Sequence, residues 1–331
     1  MKVLFIGGTG NISTSVSKLC VKRGIELFLL NRGTTGINIE GTKTIQADIN
    51  DKAQIDKALK GHNWDSVVNW IVYKQEEIER DIQLFKGKTK QYIFISSASA
   101  YQKPPAHPII TESTPLYNPF WEYSRDKIAI EERLNKAYRE ENFPITIVRP
   151  SLTFDTVIPV ALGGWNEYNI IDRLEKGQKI IVHGDGTSLW VNTHSDDFAK
   201  GFAGVIGHQQ AIGHAFHITT DEVLTWNQIY SALADAVGVE PNIIHIPTDF
   251  IVKCEKWLEG GLTGDKSNSV IFDNTKIKTF VPEFKAVIPF KEGVNRTVQW
   301  FEEDKSRQII NKSTNEMLDR IIRAYEKNKS E

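Results

Sequence analysis

The sequence predicts an α/β fold: a doubly wound parallel sheet over residues 1–155, followed by a smaller C-terminal α/β substrate-binding region over residues 156–331, some of whose segments return to the first unit. Three features predict it. Short apolar runs alternate with stretches of helical period through the first half. A glycine-rich turn joins the first run to the first helical stretch. After Arg149-Pro150 the alternation weakens, and Gly163, Gly164, Gly177, Gly184 and Gly186 punctuate shorter elements. Repeated strand and helix imply a parallel sheet buried on both faces, because each crossover lays a helix against it.

Taken in order, the first strand is Val3 to Ile6. It runs into Gly7-Gly8-Thr9-Gly10-Asn11-Ile12-Ser13, and the helix-compatible stretch Thr14 to Lys22 follows. Glycines allow backbone conformations that a side chain forbids, and they let a pyrophosphate approach main-chain N–H groups at the positive end of a helix. The spacing is G-x-x-G-x-x-S with an added Gly8, not G-x-G-x-x-G. Ser13 therefore takes the third position, where a small side chain lets the helix pack closely on the strand. Strand, glycine turn and helix point to a dinucleotide cofactor on a Rossmann-type sheet. The next strands are Glu26 to Leu30, Thr44 to Gln46, Ser66 to Trp70, Tyr92 to Ile95 and Ile145 to Val148. Between them, Asn50 to Lys60 places Ile55 and Leu59 on one helical face, and Gln75 to Phe85 does the same with Ile78, Ile82 and Phe85. In the smaller region, a helix over Asn227 to Val237 and a short strand over Phe216 to Thr219 are expected to cover the crevice rather than extend the sheet. Gln308 to Tyr325 aligns Ile310, Met317, Ile321 and Tyr325 as an amphipathic helix that docks on its own core.

A chain of 331 residues with 40% hydrophobic content can bury cores for both units. Forty basic residues against forty-two acidic ones leave a charge of −2, so no global field recruits nucleic acid or an anionic membrane, and neither is expected as a partner. Cys20 and Cys254 fit no zinc or disulfide spacing, which suits a reducing cytoplasm. Val3 to Gly8 is too short for a signal peptide, and no stretch approaches a transmembrane length. His208, His214 and His217 lack a carboxylate or cysteine at matching spacing, so no metal is expected. Asp196 and Asp197 precede the helical run Phe198 to Val205 and suit its positive end.

Candidate chemistry lies past the fifth strand. Ser96-Ser97-Ala98-Ser99 falls just beyond a strand's carboxyl end, where an open parallel sheet meets its ligand. Further on, Tyr123 and Lys127 stand four apart at the start of a helical stretch running to Tyr138, and so share one face. A free tyrosine titrates near pH ~10, and lowering that value by about three units takes about 4 kcal/mol. A close ammonium in a partly dry cleft, helped by the positive nicotinamide ring of a bound cofactor, is expected to supply that magnitude and make Tyr123 a usable acid or base.

With GGTGNIS, ISSASAY, YSRDK, VRPS, HGDGTSLWVNTHSDDFAKG and FDNTKIK in this order, the chain resembles the short-chain dehydrogenase/reductase superfamily, in its extended branch of NAD-dependent epimerases and dehydratases. The resemblance runs nearly end to end and implies hydride transfer at a carbon bearing a hydroxyl. By position it implies Tyr123 as acid/base, Lys127 as the group that binds the nicotinamide ribose and tunes the tyrosine, and Ser97 as the hydroxyl that orients substrate. It implies Gly7, Gly8, Thr9, Gly10, Asn11 and Ile12 around the pyrophosphate and Asp48-Ile49 at the adenine. Trp70, Ile71 and Val72 would line the cofactor, with Pro150-Ser151 near the nicotinamide. Relatives often dimerise through helices that here are Gln75 to Phe85 and Tyr123 to Tyr138, so a homodimer is an expectation.

Asn31-Arg32-Gly33 ends the second strand without a carboxylate. An arginine can pair with the extra phosphate of NADP, so NADP is expected, with NAD as the alternative. Nucleotide-sugar members of the family carry an asparagine where Leu152 stands and an arginine where Trp190 stands. Losing both polar contacts argues against a nucleotide diphosphate and for a smaller carbohydrate-like alcohol or ketone, walled by Trp190, Trp165 and Tyr101. An alternative of another class is a regulatory or RNA-associated protein of the same fold, similar to chloroplast stem-loop RNA-binding relatives whose second strand also ends in Asn-Arg-Gly.

Overall fold

The computed structural model describes residues 1–33 and 36–330. The central sheet contains seven parallel strands: β1 (Lys2–Ile6), β2 (Glu26–Asn31), β3 (Lys43–Gln46), β4 (Ser66–Asn69), β5 (Tyr92–Ile95), β6 (Ile145–Val148) and β7 (Ala215–Phe216). Their spatial order is β7-β6-β5-β4-β1-β2-β3, so β1 pairs with β2 on one side and β4 on the other, and Leu4 lies opposite both Phe28 and Val67. The winding reverses at β1, and ligands of such sheets bind in the crevice outside the carboxyl ends of the strands there.

The crossover helices are α1 (Ser13–Lys22), α2 (Lys52–Ala58), α3 (Gln75–Phe85), α4 (Glu122–Glu141) and α5 (Ser195–Val205). The two-residue period of β1 divides its side chains between two cores. Val3 and Phe5 pack with Val16 and Cys20 of α1 and with Phe198 and Phe202 of α5. Leu4 and Ile6 pack with Ile55, Ile78, Ile82, Ile130 and Leu134 from α2, α3 and α4. Val3 to Ile6 are fully buried, and each such side chain contributes roughly 1.5–3 kcal/mol of hydrophobic stabilisation.

Phe216 departs from expectation. It extends the central sheet as its seventh strand, with Ala215 opposite Ile147 and Phe216 opposite Val148. The Phe216 carbonyl accepts from Arg149 N–H at 2.7 Å, and its ring enters the same core as Phe198 and Phe202, so burial draws the short strand into the central sheet rather than over the crevice.

The remaining strands form small sheets: Leu152–Phe154 with Asn192–His194, Ile180–His183 with Ile243–Ile246, Leu189–Trp190 with Leu224–Thr225, and Ile109–Ile110 with Ile271–Phe272. They share a third core with α6 (Trp226–Ala236), α7 (Phe290–Glu302) and α8 (Lys312–Ser330). Helix α6 starts with a reciprocal cap: Thr225 Oγ1 accepts from Gln228 N–H at 3.2 Å, and Gln228 Oε1 accepts from Thr225 N–H at 2.9 Å. Helix α8 docks on its own chain through Met317, Leu318, Ile321 and Ile322, while Ile310 lies before the helix and is exposed. Asp196 and Asp197 do fall in the first turn of α5, but the N-cap is His194, and Asp197 has a further task. Its Oδ2 accepts from the N–H groups of Val287 and Ile288 at 2.9 and 2.7 Å, tying that loop to α5.

No helix among the described residues is long and apolar enough to cross a membrane, and no three potential metal ligands cluster among them. Cys20 and Cys254 are both free, and burial pushes the Cys20 thiol up to about 12.

Candidate active site

A cleft of about 850 Å³ opens at the carboxyl ends of the central strands. On its β1 side lies the glycine turn. Gly7 and Gly8 have φ of +91° and +100°, and a Cβ on Gly8 would stand 2.8 Å from Leu29 Cδ2, so side chains are excluded by both conformation and space. Two serines of α1 hold this turn: Ser13 Oγ accepts from Gly10 N–H, and Ser17 Oγ donates to the Gly8 carbonyl, each at 2.8 Å. Asn11 Nδ2 donates to the Thr153 carbonyl at 2.8 Å, joining the turn to the segment that follows β6, while its buried Oδ1 has no partner among the described residues. Gly7, Gly8, Thr9, Gly10, Asn11 and Ile12 all line the cleft.

So do Asn31, Arg32, Asp48 and Ile49. Asn31 Oδ1 accepts from Gly33 N–H at 3.0 Å, shaping the end of β2, and Arg32 is exposed. After β4, Asn69 Oδ1 accepts from Ile71 N–H at 3.0 Å and turns the chain so that Trp70 and Ile71 reach the cleft. Val72 differs: its side chain is buried in the core beneath α2 and α3, and its carbonyl is what meets the site, accepting from Lys127 Nζ at 2.6 Å.

On the β5 and β6 side the cleft is lined by Ser97, Tyr123, Lys127, Pro150 and Ser151. Ser97 Oγ lies 2.8 Å from Ser99 Oγ, which in turn accepts from Ser124 Oγ of α4 at 2.7 Å. Lys127 Nζ donates to Val72 and, at 2.9 Å, to Ile95. The expected acidic phenol is not produced by the protein's own groups. Burial pushes Tyr123 up to about 12 against the lowering effect of the Ser97 hydroxyl, and burial also brings Lys127 down to about 7. The spacing correctly puts both on one face, but desolvation penalises the charged form of each.

Leu152, Trp165 and Trp190 line the cleft, whereas Tyr101 does not. Tyr101 is buried with its hydroxyl 3.0 Å from His217 Nδ1 and its ring 4.8 Å from the Arg149 guanidinium. His217 Nε2 lies 2.8 Å from the Asp273 carbonyl, so this histidine serves the packing.

Two constellations escaped the sequence. Arg149 and Glu131 form a buried pair, with Arg149 Nη2 and Nε at 2.6 and 2.9 Å from the carboxylate, which also accepts from Ser96 Oγ at 2.5 Å. This knot joins α4 to the ends of β5 and β6, the three elements that carry the lining residues. A signal existed, since Glu131 follows Lys127 by one helical turn and shares its face. Lys103, Asp265 and Lys266 also line the cleft, and nothing in the sequence signals that Lys103 meets the adjacent pair Asp265-Lys266.

A model for the NAD dependent epimerase/dehydratase family matches residues 3–219. The chain is 25% identical to the chloroplast stem-loop binding protein of 41 kDa b from Arabidopsis thaliana, over 75% of this chain and 67% of that protein. It is 21% identical to 2'-dehydrokanamycin reductase of Streptomyces kanamyceticus, over 76% of this chain and 70% of that one. A solved UDP-glucose 4-epimerase from Bifidobacterium longum, in complex with NAD+ and UDP, has the same fold, with a TM-score of 0.72 at 19% identity over 93% of this chain and 100% of that one.

Proposed function

This chain belongs to the NAD-dependent epimerase/dehydratase family, and from that premise we propose that it is an NADP-preferring oxidoreductase or epimerase acting on a small carbohydrate-like alcohol or ketone. One observation carries the reading: Ser97, Tyr123 and Lys127 converge with the glycine turn on a single cleft. The residues present fit a dinucleotide. Gly7 and Gly8 leave room for close backbone approach, Asn11 offers a buried oxygen without a partner among the described residues, and Arg32 can pair with a ribose phosphate. NADP, when bound, supplies the carbon that gives or takes the hydride, and a positive ring in its oxidised form.

The chain's own groups handle the proton. Ser97 Oγ, held by Ser99, orients the substrate oxygen, and Tyr123 Oη takes the hydroxyl proton during oxidation or returns it during reduction. Each pKa unit by which the phenol must fall takes about 1.4 kcal/mol. Protonated Lys127, fixed by two carbonyls, supplies positive charge beside it. Leu152 and Trp190 give the substrate apolar surface.

Tyr123→Phe tests the reading. It is expected to abolish turnover of any sugar or polyol that the native protein converts, with NADPH binding retained by nucleotide fluorescence; surviving turnover overturns it. The alternative of an RNA-associated protein draws on the similarity to the stem-loop binding protein, and salt-dependent RNA binding without turnover of sugars or polyols favours it instead.

A further inference from the structure

We infer that the cleft contains, on the Tyr123 side, a subsite for a carboxylate carried by the substrate, formed by the ammonium groups of Lys103 and Lys266 around the carboxylate of Asp265. The placement beside the reacting group rests on the function proposed above; the anion site itself does not.

Both lysines are nearly withdrawn from solvent, Lys103 at 2% and Lys266 at 8% exposure, yet both line the cleft. Among the described residues each has the same single carboxylate as its ion-pair partner: Lys103 Nζ stands 3.6 Å from Asp265 Oδ1, and Lys266 Nζ stands 3.4 Å from Asp265 Oδ2. These separations are longer than the ~2.7–2.9 Å of a charge-assisted hydrogen bond, so Asp265 is shared and fully engages neither. Two ammonium groups and one carboxylate leave one positive charge uncompensated in a confined site. Burying a charge without a partner is costly, and an anion entering the cleft removes that cost.

The surroundings narrow the class. Lys103 and Lys266 each lie 6.0 Å from the ring centroid of Trp190, and Lys266 lies 5.7 Å from that of Trp121, whose ring centroid is 5.0 Å from that of Tyr123. An anion here therefore sits on aromatic walls adjoining the phenol. One net positive charge matches a monoanion. Asp265, standing between the lysines, repels the second charge of a phosphate ester and disfavours it by the same arrangement that admits a carboxylate. The substrate is thus a hydroxy acid, with its reacting hydroxyl toward Tyr123 and its carboxylate toward the lysines.

Calorimetric titration of the full chain with glycolate, ethylene glycol and inorganic phosphate tests this. Glycolate should bind saturably, ethylene glycol should not, and phosphate should bind no more tightly than glycolate. Lys103→Met and Lys266→Met should each weaken glycolate by about tenfold or more, and Asp265→Asn should strengthen it severalfold. NADPH fluorescence titration of every variant reports folding. Should a lysine variant not fold, Asp265→Asn and the native ranking of the three probes still decide. Glycolate binding no better than ethylene glycol, unchanged in the lysine variants or weaker than phosphate overturns the subsite. A native protein that binds glycolate through these lysines but not NADPH keeps the subsite and refutes the cofactor reading; the reverse pattern refutes the subsite alone.

Discussion

Lys127 lies one helical turn beyond Tyr123, with its Nζ 5.6 Å from the centroid of the tyrosine ring, and both of its hydrogen bonds go to backbone carbonyls, those of Val72 and Ile95. The amine is therefore held by the ends of β4 and β5 rather than by the phenol. Burial brings it down to about 7, so its charge changes near neutrality. In an unfolded chain it titrates near ~10.4. Between about pH 7 and 10 the unfolded state thus binds more protons at this site, and folding stability rises with pH by up to about 1.4 kcal/mol per unit. Urea denaturation at several pH values should show that slope in the native protein relative to Lys127→Met. Above pH ~10 the trend should reverse in both, because Tyr123, pushed up to about 12, keeps its proton in the fold after the unfolded chain has lost it. Parallel stability curves below pH ~10 count against a desolvated Lys127.

The hydroxyl chain from Ser124 through Ser99 to Ser97 has a kinetic consequence. Ser97→Ala removes the hydroxyl next to Tyr123 and should lower kcat by about 10- to 100-fold, the loss of a hydrogen bond to a charged or charging group. Ser99→Ala leaves Ser97 in place but unheld, and about 1 kcal/mol is at stake, so kcat should fall about fivefold with KM held. Equal effects on kcat and KM in Ser99→Ala count against a positioning role.

Arg32 has no ion-pair partner among the described residues and faces the cleft from the end of β2. If it pairs with the 2′-phosphate of NADP, Arg32→Ala should weaken NADPH binding by about 10- to 100-fold, the range for a hydrogen-bonded charge, while NADH binding changes little. Fluorescence titration with both nucleotides separates the outcomes, and an equal loss for both removes the argument for NADP.

Sequence pattern and structure agree where the signal is local. Gln75 to Phe85 is helical over the bounds that its apolar period predicts, because Ile78, Ile82 and Phe85 make one buried stripe and Glu77 Oε2 accepts from Lys74 N–H at the start. Helix α4 begins at Glu122, one residue before Tyr123, and runs past Tyr138 to Glu141, although Trp121 at its N-cap contributes no side-chain cap that a sequence could announce. The glycine turn, Ser97, Tyr123 and Lys127 are legible because each motif spans a few residues on one strand end or helix turn. Lys103 and Lys266 are not, because only the docking of the smaller region brings residues so far apart in the chain to one carboxylate. The direction of the Tyr123 shift was equally hidden: spacing reveals a neighbouring amine, but burial decides whether its charge survives.

Arg149 and Glu131 show what that burial demands. The pair is almost solvent-free, with side-chain exposures of 6% and 0%, and the carboxylate also accepts from Ser96. Removing one partner leaves the other buried and unpaired, so Arg149→Met or Glu131→Gln should cost about 3–5 kcal/mol in urea denaturation. Replacing both, Arg149→Met with Glu131→Met, removes the unpaired charge and should recover most of that loss. Activity should not recover with stability, because the pair is what locks α4, and with it Tyr123 and Lys127, to the strand ends carrying Ser97 and Pro150. A double variant that is as active as it is stable would show that packing alone aligns these elements and that the ion pair has no part in positioning them.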